Sequence, residues 1–143
     1  MKVKQISVFL ENKIGRLAEI TKILGDKEIN IRALSIADTA EFGILRMIVS
    51  QPEETYSILE KSGFTVSETE VIVVEVVDKP GGLAQILKII AKANLNLEYL
   101  YAFVSPKGRN ALVVLKVEKP SEAIELLTRK KVKILTMREI EKL

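Results

Sequence analysis

An internal repeat constrains this chain more than any other feature. Glu11–Leu24 (ENKIGRLAEITKIL) lies over Val77–Ile90 (VDKPGGLAQILKII) at a constant offset of 66, with Lys, Gly, Leu, Ala, Ile, Lys and Ile coinciding. The same offset carries Ile29-Asn30-Ile31 onto Leu95-Asn96-Leu97. Beyond a hairpin expected to be one residue longer in the second copy, Ile44–Val49 is expected to meet Ala111–Lys116, and Pro52 matches Pro120. A repeat of this period means that one supersecondary unit is used twice, so the 143 residues divide into two small domains, 1–69 and 70–143, rather than one average domain. A domain of about 70 residues hides only roughly 60–65% of the surface of its unfolded chain. Each half is therefore expected to lean on the other.

Each copy reads strand, helix, strand, strand, helix, strand. Val3–Leu10 and Val71–Val77 are rich in β-branched residues, as strands are. Leu17, Ile20 and Leu24, with Leu83, Ile86 and Ile90 in the second copy, recur at three and four residues, the apolar stripe of a helix lying on a sheet. Asn30 and Asn96 are expected to close turns into second strands at Ile31–Asp38 and Leu97–Val104, which return through short hairpins into third strands at 44–50 and 111–117. Ser50-Gln51-Pro52-Glu53 has the pattern of a capping box. It would open a helix running to about Ser62, with Tyr56 and Leu59 inward and Gly63 as the stop; Ala123, Ile124 and Leu127 take this part after Pro120. Final strands are expected at Phe64–Ser67 and Val132–Thr136. Two helices on one face of a four-stranded antiparallel sheet make an α+β ferredoxin-like domain. The expected fold is thus two tandem ferredoxin-like βαββαβ domains. With only Glu68-Thr69-Glu70 as a linker, the domains should lie together and pair their second strands edge to edge.

Composition excludes several function classes. There is no Cys and no His, which removes disulfides, thiolate chemistry, and the commonest general base and metal ligand. No metal, cofactor or catalytic residue is expected, and the chain is read as a non-enzyme. No apolar run approaches the roughly 18 residues of a membrane span, and Met1–Gln5 leads directly into a strand pattern, so no membrane association is expected and the cytoplasm is the expected location. Residues 1–70 carry 9 Lys and Arg against 11 Asp and Glu, while residues 71–143 carry 13 against 8. Arg129, Lys130, Lys131 and Lys133 supply most of that excess, and basic residues suit a helix C-terminus better than they make a nucleic-acid stripe. An RNA-binding sheet would also need aromatics in a Lys/Arg-Gly-Phe context, which is absent. Ser105–Asn110 contains a Lys-Gly-Arg step but lacks phosphate-loop spacing, and reads as a solvated hairpin tip. Tyr99, Tyr101 and Phe103 alternate on one face of the second strand, where the first copy has Ala33, Ser35 and Ala37. Such a face is expected to be covered, by the partner sheet or by another subunit.

The chemistry concentrates where the first strand of each copy turns into its helix. Asn12-Lys-Ile-Gly-Arg-Leu17 and Asp78-Lys-Pro-Gly-Gly-Leu83 offer Asn or Asp as N-caps, Pro80 in a first turn and Gly for a tight bend. The same amides and the positive helix end suit a carboxylate. Asn30 and Asn96 are in addition ordinary turn residues.

This pattern of strand, Asn/Asp-x-(Pro)-Gly-x-Leu, amphipathic helix, Ile/Leu-Asn-Ile/Leu and hairpin resembles the ACT domain family, and the whole chain is similar to stand-alone proteins with two ACT units. The resemblance implies an amino-acid-binding regulatory module. In serine-sensing members an Asn in the first loop and an Asn before the second strand hold the ligand; these correspond to Asn12 and Asn30, and to Asp78 and Asn96 in the second copy. The implied site includes Ile14, Gly15 and Leu17, with Pro80, Gly81 and Leu83. Amides of the Gly15 or Gly81 turn would take the α-carboxylate and Asp78 the ammonium. Leu10 stands where those members carry a His, which points to an apolar or aromatic amino acid instead of serine. The expected partners are a free amino acid, a second copy in a homodimer or larger assembly, and a regulated enzyme. The alternative is an obligate regulatory subunit of an amino-acid biosynthetic enzyme, acting mainly by protein contact.

Overall fold

The computed structural model describes residues 1–39, 41–104, 108 and 110–143; the expected tip Ser105–Asn110 lies outside these except for Gly108 and Asn110. The chain forms two compact units, Lys4–Thr69 and Glu70–Leu143, with Met1–Val3 counted in the second.

In the first unit β1 (Val3–Glu11), α1 (Arg16–Asp26), β2 (Ile31–Asp38), β3 (Phe42–Val49), α2 (Pro52–Lys61) and the start of β4 (Thr65–Val77) give the strand order β2-β3-β1-β4. In the second, the end of β4, α3 (Gly82–Lys92), β5 (Leu97–Val104), β6 (Asn110–Val117), α4 (Pro120–Arg129) and β7 (Ile134–Leu135) give β5-β6-β4-β7, and a short α5 (Met137–Glu141) follows. Both units are βαββαβ with the helices on one face of an antiparallel sheet. Alternate strand residues meet the apolar stripes of the helices: Ile6, Val8, Leu10, Leu45 and Met47 pack with Ile20, Leu24 and Leu59, while Ile72, Val74, Val76, Val113 and Leu115 pack with Ile86, Ile90 and Leu127.

These cores correct the repeat alignment. β1 and the first half of each unit keep the offset of 66, so that Ile6, Val8 and Leu10 correspond to Ile72, Val74 and Val76. Past the hairpin the offset is 68. Glu11 faces Phe42 across the ladder as Val77 faces Asn110, and the inward set Leu45, Met47, Val49 corresponds to Val113, Leu115, Val117. The second hairpin is thus two residues longer, not one. A one-residue slip would turn every side chain to the wrong face, and the helix-side core, which takes Val113, Leu115 and Val117 but not Leu112 or Val114, rules it out.

Four local expectations also change. Glu68-Thr69-Glu70 is strand rather than linker, since β4 runs unbroken through Thr65–Val77. Among the described residues β2 has only β3 as a strand neighbour and β5 only β6, so the expected edge pairing of the second strands is not made. No side-chain cap opens α2; its N-cap is Gln51, Ser50 Oγ accepts from the Asn30 amide at 3.0 Å, and Glu53 accepts from Lys4 Nζ at 2.7 Å. The capping box instead sits at Thr136 and Glu139, where it opens α5 and cuts the last strand to two residues. On the face of β5 expected to be covered, Tyr101 is buried and Tyr99 and Phe103 are half-buried. Their face also carries the buried Val71, Val73, Leu112 and Val114.

Candidate functional site

The loop from β1 into α1 and the loop from β4 into α3 share one backbone path. Just past the strand the Lys13 amide donates to Glu11 O at 2.8 Å, and the Lys79 amide to Val77 O at 2.9 Å. Gly15 and Gly81 then take left-handed angles, φ 86° and 83°, and stand as the N-caps of α1 and α3. Their carbonyls accept the first helical bonds, from Glu19 at 2.9 Å and Gln85 at 3.1 Å. Neither helix has a side-chain cap. Asn12 and Asp78 are therefore not N-caps; the cap falls three residues later, because only Gly accepts the required angle without strain. Both residues remain exposed, next to a helix end whose first amides lack intrahelical acceptors and carry partial positive charge.

In the first unit this loop walls a cleft of about 140 Å³. Asn12, Arg16 and Leu17 form one side, with Leu10 beneath, and Ile36 and Asp38 of β2 form the other. Gly43 lies directly opposite Asp38 in the β2–β3 register and lines the cleft beside it. The rim is zwitterionic. Lys13 Nζ lies 2.6 Å from Glu11, and Arg16 lies 3.9 Å from Glu11 and 3.3 Å from Glu19. The Lys13 hydrogen bond and charge, helped by Arg16, hold the Glu11 carboxyl below the usual carboxylate range. Arg16 with the helix amides suits a carboxylate, Asp38 suits an ammonium, and Leu10, Leu17 and Ile36 suit an apolar side chain.

Of the residues expected from sequence, Asn12 and Leu17 line this cleft and Gly15 shapes its loop, whereas Ile14 is fully exposed on the loop. Asp78, Pro80 and Gly81 are exposed, and Leu83 packs on the core of its unit. Asn30 and Asn96 sit at the far end of their sheets. The Asn30 carbonyl accepts from Ser50 at 2.9 Å and that of Asn96 from Glu118 at 3.0 Å. Asn12 lies beyond Glu11, which faces the start of β3 at Phe42, while Asn30 precedes Ile31, which faces the end of β3 at Val49. At about 3.3 Å per residue, the length of β3 separates them by roughly 23 Å. The two Asn of one unit are not brought together. Arg16, Ile36 and Asp38 were not singled out from sequence. Arg16 lay inside the loop motif, but the approach of β2 emerges only from the strand register.

Among the described residues no cluster of His, Cys, Asp and Glu is placed to hold a metal, and no helix is long and apolar enough to cross a membrane. Comparison with known proteins agrees with the fold. A family model for an ACT domain pair matches residues 1–143. This places the chain in a class of regulatory modules, and it belongs to the ACT domain pair family. It is similar over 100% of its length to protein BT0572 from Bacteroides thetaiotaomicron, with 40% identity, a TM-score of 0.94 and 98% of that chain covered. The ligand-free regulatory subunit of aspartate kinase from Thermus thermophilus shares the fold at 16% identity, with a TM-score of 0.65 over 88% of this chain and 91% of that one. That from Thermus flavus shares it at 14% identity, with a TM-score of 0.62 over 97% and 90%. No curated protein matches the chain.

Proposed function

We propose that this chain is a regulatory sensor for a free amino acid and acts on an enzyme partner. The observation that carries this reading is the first-unit cleft, in which a carboxylate-receiving helix end and Arg16 face Asp38 across an apolar floor. A zwitterion with an apolar or aromatic side chain complements all three features. Asn12 supplies an amide at the rim. Asn30 is roughly a strand length away in the same unit, so it reaches a ligand only from another copy. Antiparallel pairing of two β2 strands achieves this, because it sets the start of one against the end of the other. Support comes from the outer edge of β2, which among the described residues has no strand neighbour beyond β3 and carries the exposed Leu34 and Ile36. A homodimer follows, with one ligand at each end of the paired strands.

The enzyme partner rests on the class: binding without chemistry matters only where another activity reads it, and linkage makes that coupling reciprocal. Thermal-shift screening of the purified chain against the amino acids tests the sensor. A true ligand at 100 times its Kd adds about 2.7 kcal/mol of stability, and Asn12→Ala should abolish most of that gain. If no amino acid raised the melting temperature, the sensor reading would fail.

A further inference from the structure

On the other side of Arg16 from the loop cleft, the first unit has a second cavity, of about 200 Å³, between the end of β1, the start of α1 and the turn after α2. The second unit has a cavity of about 320 Å³ between the end of β4, the start of α3 and the turn after α4. At offsets of 66 before the hairpin and 68 beyond it, all seven residues lining the first cavity have their counterparts lining the second. The cavity is a feature of the repeated unit, and only its lining differs.

In the first unit Phe9 and Phe42 stack there with ring centroids 5.0 Å apart, and Thr65 and Gly63 complete the wall. The second unit has Glu75, Asn110, Lys133 and Lys131 at these four positions. Glu75 Oε1 accepts from Asn110 Nδ2 at 3.1 Å, and its Oε2 lies 3.2 Å from Lys133 Nζ. These contacts hold the Glu75 carboxyl below the usual range, Asn110 first and Lys133 second. Val76 and Ile86 supply an apolar floor and Gln85 a further amide. One fixed carboxylate, two ammonium groups and an aliphatic floor complement a molecule with one positive group, one negative group and an aliphatic chain.

We propose that the cavity of the second unit is a separate binding site for an aliphatic α-amino acid, with its ammonium on Glu75 and its carboxylate between Lys131 and Lys133. The side chain rests on Val76 and Ile86. The first unit has Phe9 and Phe42 where the second has Glu75 and Asn110, and its own Glu11 and Arg16 are engaged by Lys13 and Glu19, so it does not bind such a ligand here. This site stands apart from the loop cleft and does not depend on it.

Titration of the ¹⁵N-labelled full chain with L-valine tests the assignment. Saturable shifts are expected at Gly82, Gln85, Val132 and the Asn110 side-chain amide. Isobutylamine and 3-methylbutanoate, which lack the carboxylate and the ammonium respectively, should give no saturable shifts at the same millimolar concentrations. Glu75→Gln and Lys131→Gly should each raise Kd by about tenfold or more, the cost of an unpaired charged partner. Lys131→Gly keeps the residue type that the first unit has at this turn, so it guards against loss of fold. Asn12→Ala should leave this Kd unchanged, which separates the site from the loop cleft. Failure of L-valine to saturate, shifts confined to residues 12–17, or undiminished affinity in both cavity variants would overturn the proposal.

Discussion

At the scale of single residues, the loops turn on Gly15 and Gly81 rather than on the side chains of Asn12 and Asp78. A Cβ at either glycine meets nothing within 4 Å, so the cost of substitution is purely conformational. Gly15→Ala and Gly81→Ala should each lower stability by about 1 kcal/mol in chemical denaturation, the penalty for an L-residue in a left-handed conformation. Asp78→Ala should change apo stability by less than about 0.5 kcal/mol, since it removes no cap. A loss near 1 kcal/mol from Asp78→Ala would restore its role as a cap. Acidic residues set the pH response. The carboxyls of Glu75, Glu53, Glu11 and Glu139 are all held below their usual range, the last mainly by the Thr136 amide. A depressed value means that the folded state gives up the proton more readily than the unfolded chain does. The stabilisation is therefore complete above the unfolded value of about 4.3 and is lost as pH falls through the lower folded values. Melting temperature should be level from neutral pH down to about 5 and should fall below about 4, with a shallower acid slope in Glu75→Gln. A melting temperature that held or rose on acidification would contradict this.

At the scale of elements, α5 depends on its capping box. Thr136 Oγ1 accepts from the Glu139 amide at 3.3 Å and the Glu139 carboxylate accepts from the Thr136 amide at 2.7 Å, which seats the fully buried Ile140. Thr136→Ala should cost about 1 kcal/mol and raise amide exchange within Met137–Glu141; unchanged exchange there would show that Ile140 alone holds the helix. This helix was not legible beforehand, because Val132–Thr136 reads as a strand of ordinary length and five residues carry too little periodicity to declare a helix. The capping pattern at Ser50–Glu53 misled for a related reason: Ser50 is claimed by the backbone of Asn30 and Glu53 by Lys4, and sequence spacing shows neither competitor. The strands and helices that bury a continuous apolar stripe were legible, from Ile6 to Leu10 and from Leu83 to Ile90. What failed was counting across a polar hairpin, where no apolar residue marks the register. The burial of Val113 and Leu115 in place of Leu112 and Val114 against the helices settles that count.

At the scale of the whole molecule, duplication yields two units alike in backbone and unlike in lining. Loop motifs supplied the residues proposed to hold a ligand, but not that Asn12 and Asn30 of one unit lie at opposite ends of a sheet. Sequence proximity of motifs does not encode which ends meet. An amino-acid site that joins the loop of one copy to the second-strand start of another can be detected by mixing subunits. Asn12→Ala and Asn30→Ala should each bind the screened amino acid weakly when pure, by about 1–3 kcal/mol. Co-refolded together, they should form mixed dimers in which one site carries both substitutions and the other carries neither. Calorimetry on the mixture should then recover full-affinity binding at a reduced stoichiometry. If the mixture bound no better than its two components, the site would not be shared between copies.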